Sequence, residues 1–221
     1  MGPLPQVPQP ARRVAQAIAL AGGRAWLVGG WVRDQLLGRP GMDLDLEVGG
    51  LDAEAIDLAL SSLGPVMRVG RAFPVFKLQL DGCALDISQP RSDSLPGGQA
   101  RVDPELSIAQ SAARRDLRIN AIALDPLSEE IQDPFDGRSD LKNRILRAVD
   151  EHHFLDDPLR VLRVARFVAQ LDFTVDEALI ALGSQADWRD VASERLGIEL
   201  CKLLRAPFAP EGIEAAARMK V

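Results

Sequence analysis

The sequence has no tyrosine, two histidines and two cysteines in 221 residues. A zinc site rich in histidine is not expected, because His152 and His153 are the only imidazoles. Cys83 and Cys201 lie far apart and predict buried free thiols in a reducing compartment, which excludes a disulfide-stabilised secreted domain. No run approaches the roughly 20 apolar residues that span a bilayer. We therefore expect a cytoplasmic protein that is not embedded in a membrane.

An excess of positive charge is also missing. The formal net charge is −6 and the isoelectric point is about 5.0, which argues against a general nucleic-acid coat but is compatible with a local basic patch. With 47% hydrophobic residues, the chain is long enough for one large or two small domains with a true core.

The first segment, "MGPLPQVPQP", is rich in proline and predicts a disordered tail over residues 1–10. Arg12 and Arg13, followed by "VAQAIALAGG", are compatible with a twin-arginine export signal. The apolar run is short for such a signal and is better interpreted as a first amphipathic helix.

Alternating strand and helix patterns follow. "RAWLVGG" predicts a buried strand, "WVRDQLLG" a helix closed by Gly38, and "DLDLEV" a second strand. "DAEAIDLALSSL" predicts a helix with Asp52 as N-cap. Four further strands are expected at "VMRVG", "VFKLQL", "CALDIS" and "INAIALDP", and the polar stretch 89–106 predicts a long, functional loop.

After Val149 the pattern becomes helical, in "DPLRVLRVARFVAQL", "TVDEALIALGS" and "SERLGIELCKLLRA". We therefore predict an α/β (α+β) domain over residues 11–149 with a mixed sheet and flanking helices, and an all-helical domain over residues 150–221.

Two carboxylates stand out in "GMDLDLE". Asp43 and Asp45 are two apart on a predicted strand and so project from one face. Such a pair suits Mg²⁺, and phosphoryl or nucleotidyl transfer requires one or two such ions. Asp86, in "CALDIS", can add a third carboxylate from a neighbouring strand. A solvated strand face is the alternative interpretation.

A diglycine precedes this pair by 13 residues. Gly29 and Gly30 lie between a predicted strand and a predicted helix, where backbone N–H groups approach an anion, and Arg33 adds a charge one turn later. A simple tight turn is the alternative.

Two further runs carry charge. "ARRDLRINAI" contains Arg114 and Arg115, which suit phosphate, and Asp116 and Asn120, which suit ribose hydroxyls or base edges. "LDDPLRVLRVARF" places arginines at every third position of a predicted helix, with Asp157 near its start. These arginines are Arg160, Arg163 and Arg166. An exposed helix with alternating charges is the competing interpretation.

Taken together, these runs resemble one family, the class II tRNA nucleotidyltransferases (CCA-adding enzymes) and bacterial poly(A) polymerases of the DNA polymerase β superfamily. The resemblance rests on "LVGGWVRDQLLG", "MDLDLEV", "VGRAFPVFKL", "RRDLRINAIALDP", "DPFDGRSDLKNRILRAV", "DDPLRVLRVARF" and "SERLGIELCKLL", which cover residues 24–205 in the family's order. It implies a nucleotidyltransferase head domain followed by a helical neck.

The resemblance also implies a role for each residue. The metal ligands would be Asp43 and Asp45. Asp86, proposed above from its position on a neighbouring strand, is added as a further catalytic carboxylate. The triphosphate would contact Gly29, Gly30 and Arg33, and the ribose and phosphate would contact Arg115, Asp116 and Asn120. The base would contact Asp157 and Arg160, and further nucleotide groups would contact Arg163 and Arg166. Arg91 would open the family's flexible specificity loop.

The implied reaction is attack of an RNA 3′-hydroxyl on the α-phosphate of CTP or ATP, with tRNA as the expected acceptor and Mg²⁺ as cofactor at a two-metal site. Three features differ from the family's usual pattern: the chain ends soon after the helical neck, where family members continue with body and tail domains, the loop after Arg91 has no aromatic residue, and Arg118 stands where a small hydroxyl residue is more usual. The first feature predicts either a fragment or a minimal protein. Alternatives are a minimal poly(A)-polymerase-like enzyme acting on other RNA and a non-catalytic nucleotide- or RNA-binding protein.

Overall fold

The computed structural model describes residues 6–39, 41, 43–70, 73–92, 101–189 and 191–221. The chain forms two compact units. The first, here called the sheet unit, contains Met1–Arg115 and Asn120–Phe135; the second, the helical unit, contains Asp116–Ile119 and Asp136–Val221. Within the described ranges, no helix combines the length and apolar character required to cross a membrane.

The sheet unit is built on a seven-stranded sheet in the order β3-β4-β5-β2-β1-β8-β9. Its strands are β1 Arg24–Val28, β2 Leu44–Gly49, β3 Val66–Val69, β4 Val75–Leu80, β5 Cys83–Ser88, β8 Ala123–Leu124 and β9 Ile131–Gln132. A separate ribbon pairs β6 Arg91–Ser92 with β7 Arg101–Val102. The helices are α1 Gln9–Leu20, α2 Gly30–Leu36, α3 Ala53–Ser61 and α4 Ile108–Ala112.

The sheet is mixed. Strand β2 runs antiparallel to β1 and parallel to β5, whereas β4 is antiparallel to both β3 and β5. Alternation along β2 sends Leu44 and Leu46 into the core and leaves Asp45 exposed. Helix α1 covers the sheet with an apolar face that includes Val14 and Ile18. The predicted α/β (α+β) class is therefore confirmed.

Local sequence rules explain several boundaries. The predicted N-cap is confirmed, because the Asp52 carboxylate accepts a hydrogen bond from the Ala55 N–H at 2.8 Å. The strand predicted for "INAIALDP" is present but shorter than expected: a 3₁₀ turn over Arg118–Asn120 precedes the two-residue β8. The strand ends there because Asp125 accepts hydrogen bonds from the N–H groups of Leu127 and Ser128, which closes a turn.

The predicted disorder of residues 1–10 falls partly on residues 1–5, which lie outside the described residues. Order begins within the remainder, because Val7 is only 5% exposed and α1 starts at Gln9. Pro10 is compatible with this start, since the first turn of a helix does not need its N–H.

The helical unit is organised around one buried helix. Its elements are α5 Gly137–Asn143, β10 Ile145–Leu146, a 3₁₀ turn Phe154–Asp156, α6 Leu159–Leu171, β11 Thr174–Val175, α7 Glu177–Gly183, α8 Ser193–Leu204 and α9 Ala209–Arg218. Helix α6 packs against α8 and α9. Helix α9 was not predicted; it approaches α6 closely at Gly212, where a Cβ atom would lie 2.7 Å from the Ala165 carbonyl oxygen.

The helical unit also takes in chain that precedes the predicted boundary at Val149. Leu117 forms an isolated bridge with Ala148, and Arg118 donates to the carbonyl oxygens of Arg147 and Ala148 at 3.0 and 3.1 Å. These contacts group residues 116–119 and 136–149 with the helices. The division into domains at residues 149 and 150 stays a prediction.

Candidate active site

Three predicted carboxylates come from two adjacent strands of the sheet unit. Asp45 of β2 is the direct partner of Asp86 on the parallel strand β5, and Asp43 stands just before β2. Partial burial and the like charges of Asp86 and Asp43 raise the pKa of Asp45, while Arg115 and Lys77 act in the opposite direction. Asp43 and Asp45 nevertheless keep contact with solvent. The site therefore concentrates negative charge where solvent has access.

Lys77, which the sequence reasoning did not identify, neutralises Asp86. It is the register partner of Asp86 on β4, and its ammonium group donates to both carboxylate oxygens at 2.7 and 3.0 Å. No cluster of three or more metal-binding side chains occurs in the described part of the chain. The candidate metal ligands are thus Asp43 and Asp45, with Asp86 beside them in an ion pair.

The diglycine turn lies next to these carboxylates. Gly29 has φ 73° and ψ −137°, a conformation that favours glycine, and Gly30 is the first residue of α2. A Cβ atom on Gly29 would lie 3.2 Å from Arg115 Nη1 and 3.6 Å from Asp45 Oδ2. A Cβ atom on Gly30 would lie 3.5 Å from Arg33 Nη2. Two guanidinium groups therefore flank the turn, and one metal-ligand candidate adjoins it.

Asn120 links these two arginines. Its side-chain oxygen accepts from Arg33 Nη1 at 2.8 Å, and its backbone oxygen accepts from Arg115 Nη1 at 3.3 Å. Arg33 is also held by Asp34, through its Nε at 2.8 Å and its Nη2 at 2.9 Å. The structure thus gives Asn120 a positioning contact, and its predicted contact with ribose or phosphate stays a prediction.

Glu47 and Arg91 complete the charged surroundings of the turn. Glu47 is buried, and its Oε2 lies 3.8 Å from Arg115 Nη2. The guanidinium of Arg91 stacks on the Phe73 ring at 4.4 Å; burial and nearby Arg114 lower the pKa of Arg91, while Glu47 raises it. Much of the loop predicted after Arg91 falls on residues 93–100, outside the described residues. Glu47 was missed, although it continues the alternation of Asp43 and Asp45.

The predicted base-recognition residues lie at the start of α6 in the helical unit. The Asp157 carboxylate accepts from the Leu159 N–H at 3.2 Å and from Arg195 Nη2 at 2.7 Å. Arg160 donates to the His153 carbonyl oxygen at 2.8 Å. Arg195, on α8, was also missed by the sequence reasoning, and it fixes the orientation of Asp157.

The other two arginines of α6 form internal ion pairs. Arg163 contacts Asp116 through Nε at 2.8 Å and Nη2 at 2.6 Å, while Arg166 Nε lies 2.9 Å from buried Glu199. Burial acts to lower the pKa of Arg163, but the Asp116 carboxylate outweighs it and the pKa is raised. Because three residues advance about 300° around a helix, the arginine stripe turns into the core by Arg166. The predicted nucleotide contacts of Arg163 and Arg166 stay predictions.

A mixed sheet with a helix-initiating diglycine beside paired aspartates on an adjacent strand is the architecture of the polymerase-β-like nucleotidyltransferase head. The model of the Poly A polymerase head domain family matches residues 25–147, and the chain belongs to this family.

Curated relatives match a larger part of the chain than the family model does. The chain is 41% identical over 192 residues to a multifunctional CCA protein of Mannheimia succiniciproducens, covering 82% of this chain and 44% of that protein. It is 34% identical to a CCA-adding enzyme of Streptococcus thermophilus, covering 98% of this chain and 54% of that protein. The chain thus spans about half the length of the curated relatives it matches.

Solved structures of CCA-adding enzymes resemble the fold of this chain. The Bacillus stearothermophilus CCA-adding enzyme in complex with CTP superposes with a TM-score of 0.84 at 31% identity, covering 95% of this chain and 51% of that chain. The Thermotoga maritima CCA-adding enzyme complexed with tRNA superposes with a TM-score of 0.78 at 27% identity, covering 95% and 50%. The predicted family is therefore confirmed.

Proposed function

We propose that the protein is a template-independent RNA nucleotidyltransferase that adds CMP and AMP, from CTP and ATP, to an RNA 3′ end, with tRNA as the acceptor. The observation that carries this proposal is the placement of Asp45 beside the Gly29–Gly30 turn, with Arg33 and Arg115 flanking that turn. The CTP- and tRNA-bound relatives support the choice of substrates. We place the reaction in the cytoplasm, where the free thiols of Cys83 and Cys201 stay reduced. The predicted burial of both thiols is wrong, because Cys83 is half-buried and Cys201 is exposed.

The donor set fits Mg²⁺. Asp43 and Asp45 offer hard carboxylate oxygens at an exposed position, and the like charges of Asp86 and Asp43 beside Asp45 favour a cation there. When bound there, Mg²⁺ would neutralise charge on the phosphates and activate the attacking hydroxyl. We propose that a second Mg²⁺ ion binds at the same site. Asp86 would adjust the local charge, because Lys77 already contacts both of its oxygens.

The arginines provide the contacts for the triphosphate. Arg33 and Arg115 present planar guanidinium groups that match phosphate oxygens, and Asn120 holds both in place before the nucleotide binds. Glycine at position 29 removes the side chain that would occupy this space, since a Cβ there would meet Arg115. We propose that this preorganisation aligns the α-phosphate with the RNA 3′-hydroxyl, while pyrophosphate departs with its charge compensated.

Base choice is assigned to Asp157 and Arg160 of the helical unit. A carboxylate accepts hydrogen bonds and a guanidinium donates them, so the pair can match the edges of cytosine and adenine while uracil and guanine meet mismatched groups. Arg195 fixes the Asp157 carboxylate at 2.7 Å, which supports a defined acceptor position.

A direct test uses the purified protein with Mg²⁺, labelled CTP and ATP, and three tRNA transcripts ending before the CCA sequence, after CC and after CCA. We expect CMP incorporation into the first transcript, AMP into the second and none into the third. Absence of incorporation into every transcript would refute the proposed enzyme. Long adenosine tails on all three transcripts, or on an unrelated RNA oligonucleotide, would instead identify a poly(A) polymerase activity, from which the matched head-domain family takes its name.

A further inference from the structure

One buried charge of the sheet unit has no role in the proposed chemistry. Glu47 lies on β2 between Trp26 of β1 and Ser88 of β5, and it is only 8% exposed. A carboxylate in such a position costs free energy unless a cation compensates its charge. Arg115 provides that compensation, with Nη2 at 3.8 Å from Glu47 Oε2, and Arg91 also attracts Glu47.

The same arginine reaches the diglycine turn. Arg115 Nη1 donates to the Asn120 carbonyl oxygen at 3.3 Å and would lie 3.2 Å from a Cβ atom on Gly29. One edge of the guanidinium therefore faces the turn while Nη2 faces Glu47. Together, the hydrogen bond to Asn120 and the ion pair with Glu47 restrict where the guanidinium lies.

Arg33 shows a similar arrangement beside Gly30. It has its own carboxylate partner, Asp34, and its own contact with Asn120. Each arginine beside the turn is thus held by one carboxylate and one oxygen of Asn120. Ordering a long side chain opposes binding, so an arginine that is already ordered binds phosphate at a lower entropic cost.

We infer that Glu47 is a positioning residue for nucleotide binding, whose buried carboxylate holds the Arg115 guanidinium over the Gly29–Gly30 turn to receive a phosphate group of the nucleoside triphosphate. The inference rests on the proposed function. Glu47 itself touches no phosphate and acts only through Arg115.

A purely electrostatic role for Glu47 predicts tighter nucleotide binding when Glu47 is neutralised, whereas positioning predicts weaker binding. Removing a negative charge makes the surroundings of the turn more positive, which strengthens the attraction for a triphosphate. If Glu47 acted only through its charge, its neutralisation would tighten nucleotide binding. Weaker binding after neutralisation therefore identifies positioning.

The test measures CTP binding by isothermal titration calorimetry in Mg²⁺ without RNA. It compares the unmodified protein with Glu47→Gln, Arg115→Met and the double variant. We expect Glu47→Gln to weaken CTP binding roughly twofold to tenfold, the range for ordering one long side chain. The double variant should bind CTP as Arg115→Met does, because Glu47 has no effect without its partner. Glu54→Gln is the matched control, since Glu54 is an exposed carboxylate paired with Arg68 on the same unit.

Two outcomes would overturn the inference alone: CTP binding that is unchanged or tighter in Glu47→Gln, or losses that add in the double variant. An unmodified protein that does not bind CTP would overturn the proposed function and this inference with it. In turnover assays, we expect Glu47→Gln to raise KM for CTP and leave kcat unchanged. A purely structural role would lower kcat through a smaller active fraction and leave KM unchanged, which also contradicts positioning.

Thermal unfolding monitors whether Glu47→Gln still folds. If it does not, Glu47→Asp keeps the charge on a shorter side chain, and we expect a smaller loss of CTP affinity that again disappears in the Arg115→Met background. A loss that persists in that background would contradict the inference.

Discussion

At the scale of single residues, the side chains of the candidate site are connected because several of them contact the same neighbour. Asn120 contacts two arginines, and Arg115 contacts both Asn120 and Glu47. The sequence predicted the residue types that chemistry requires, such as Asp45 and Gly29, because short spacings place them on one strand face or in one turn. It did not predict which side chains hold them, since Arg33 and Asn120 lie 87 positions apart in the chain.

Asp43 and Asp45 yield the first residue-scale prediction. Replacing both with asparagine should abolish nucleotide transfer and leave the fold intact, because neither carboxylate has a hydrogen-bond or ion-pair partner among the described residues. Removing two like charges should change the free energy of unfolding by no more than about 1 kcal/mol, as for other exposed charges. Single-turnover assays and urea unfolding measure the two quantities.

Asp81→Asn is the control for this pair, because Asp81 is an exposed carboxylate of the same unit that pairs with Arg13. Transfer at the normal rate by the double asparagine variant would show that the metal ligands have been assigned incorrectly.

At the scale of elements, short strands are held by side chains and not by strand propensity. Strand β8 has only two residues, yet Asp125, which follows it, accepts from the N–H groups of Leu127 and Ser128 and pairs with Arg24 of β1 at 2.9 Å. Sequence patterns predicted the longer strands well, since each has enough alternating positions to show a period. A two-residue strand carries no period, and its contacts come from elsewhere in the chain.

Asp125 gives a pH-dependent prediction. Burial acts to raise its pKa, but the hydrogen bonds from Leu127, Arg24 and Ser128 outweigh it, so the pKa is lowered in the folded protein. A lowered pKa contributes stability above the unfolded value of 3.8, and this contribution is lost as the pH falls through the folded value. Asp125→Asn should therefore cost about 1–3 kcal/mol of unfolding free energy at neutral pH.

Urea unfolding of Asp125→Asn and of the unmodified protein at pH 7 and in acid measures this difference. The difference in unfolding free energy between the two proteins should become smaller as the pH falls through the range in which carboxylates titrate. A difference that stays constant with pH would show that the Asp125 charge does not stabilise the β8–β9 turn.

The contact between Asp157 and Arg195 leads to a prediction about α6 and α8. Arg195→Met should remove one of the two contacts that orient the Asp157 carboxylate among the described residues and leave only the Leu159 N–H. The preference for CTP over UTP should then fall roughly fivefold or more, since a well-placed base contact is worth about 1–3 kcal/mol. Competition between CTP and UTP in primer extension measures the preference.

Arg218→Met is the matched control, because Arg218 forms an exposed ion pair with Glu177 in the same unit, also at 2.7 Å. An unchanged preference in Arg195→Met would mean that Asp157 is held correctly without Arg195.

At the scale of the whole molecule, the order of elements was more predictable than their grouping. The mixed sheet followed by helices was visible in the sequence because period-2 patterns give way to helical spacing after Val149. The assignment of residues 116–119 to the helical unit was not visible, because it depends on the pairing of Leu117 with Ala148 and on the ion pair between Asp116 and Arg163. Such contacts between distant segments leave no local pattern.

The absence of tyrosine has a practical consequence together with the packing of α2. The chain has three tryptophans, so its near-ultraviolet emission comes from indole alone. Trp31 directly follows Gly30 and is only 4% exposed, in the first turn of α2. Indole emission is sensitive to nearby charge, and Trp31 stands one residue from the turn where we place the triphosphate. The protein thus carries its own optical reporter, by which nucleotide titrations can be followed without a label.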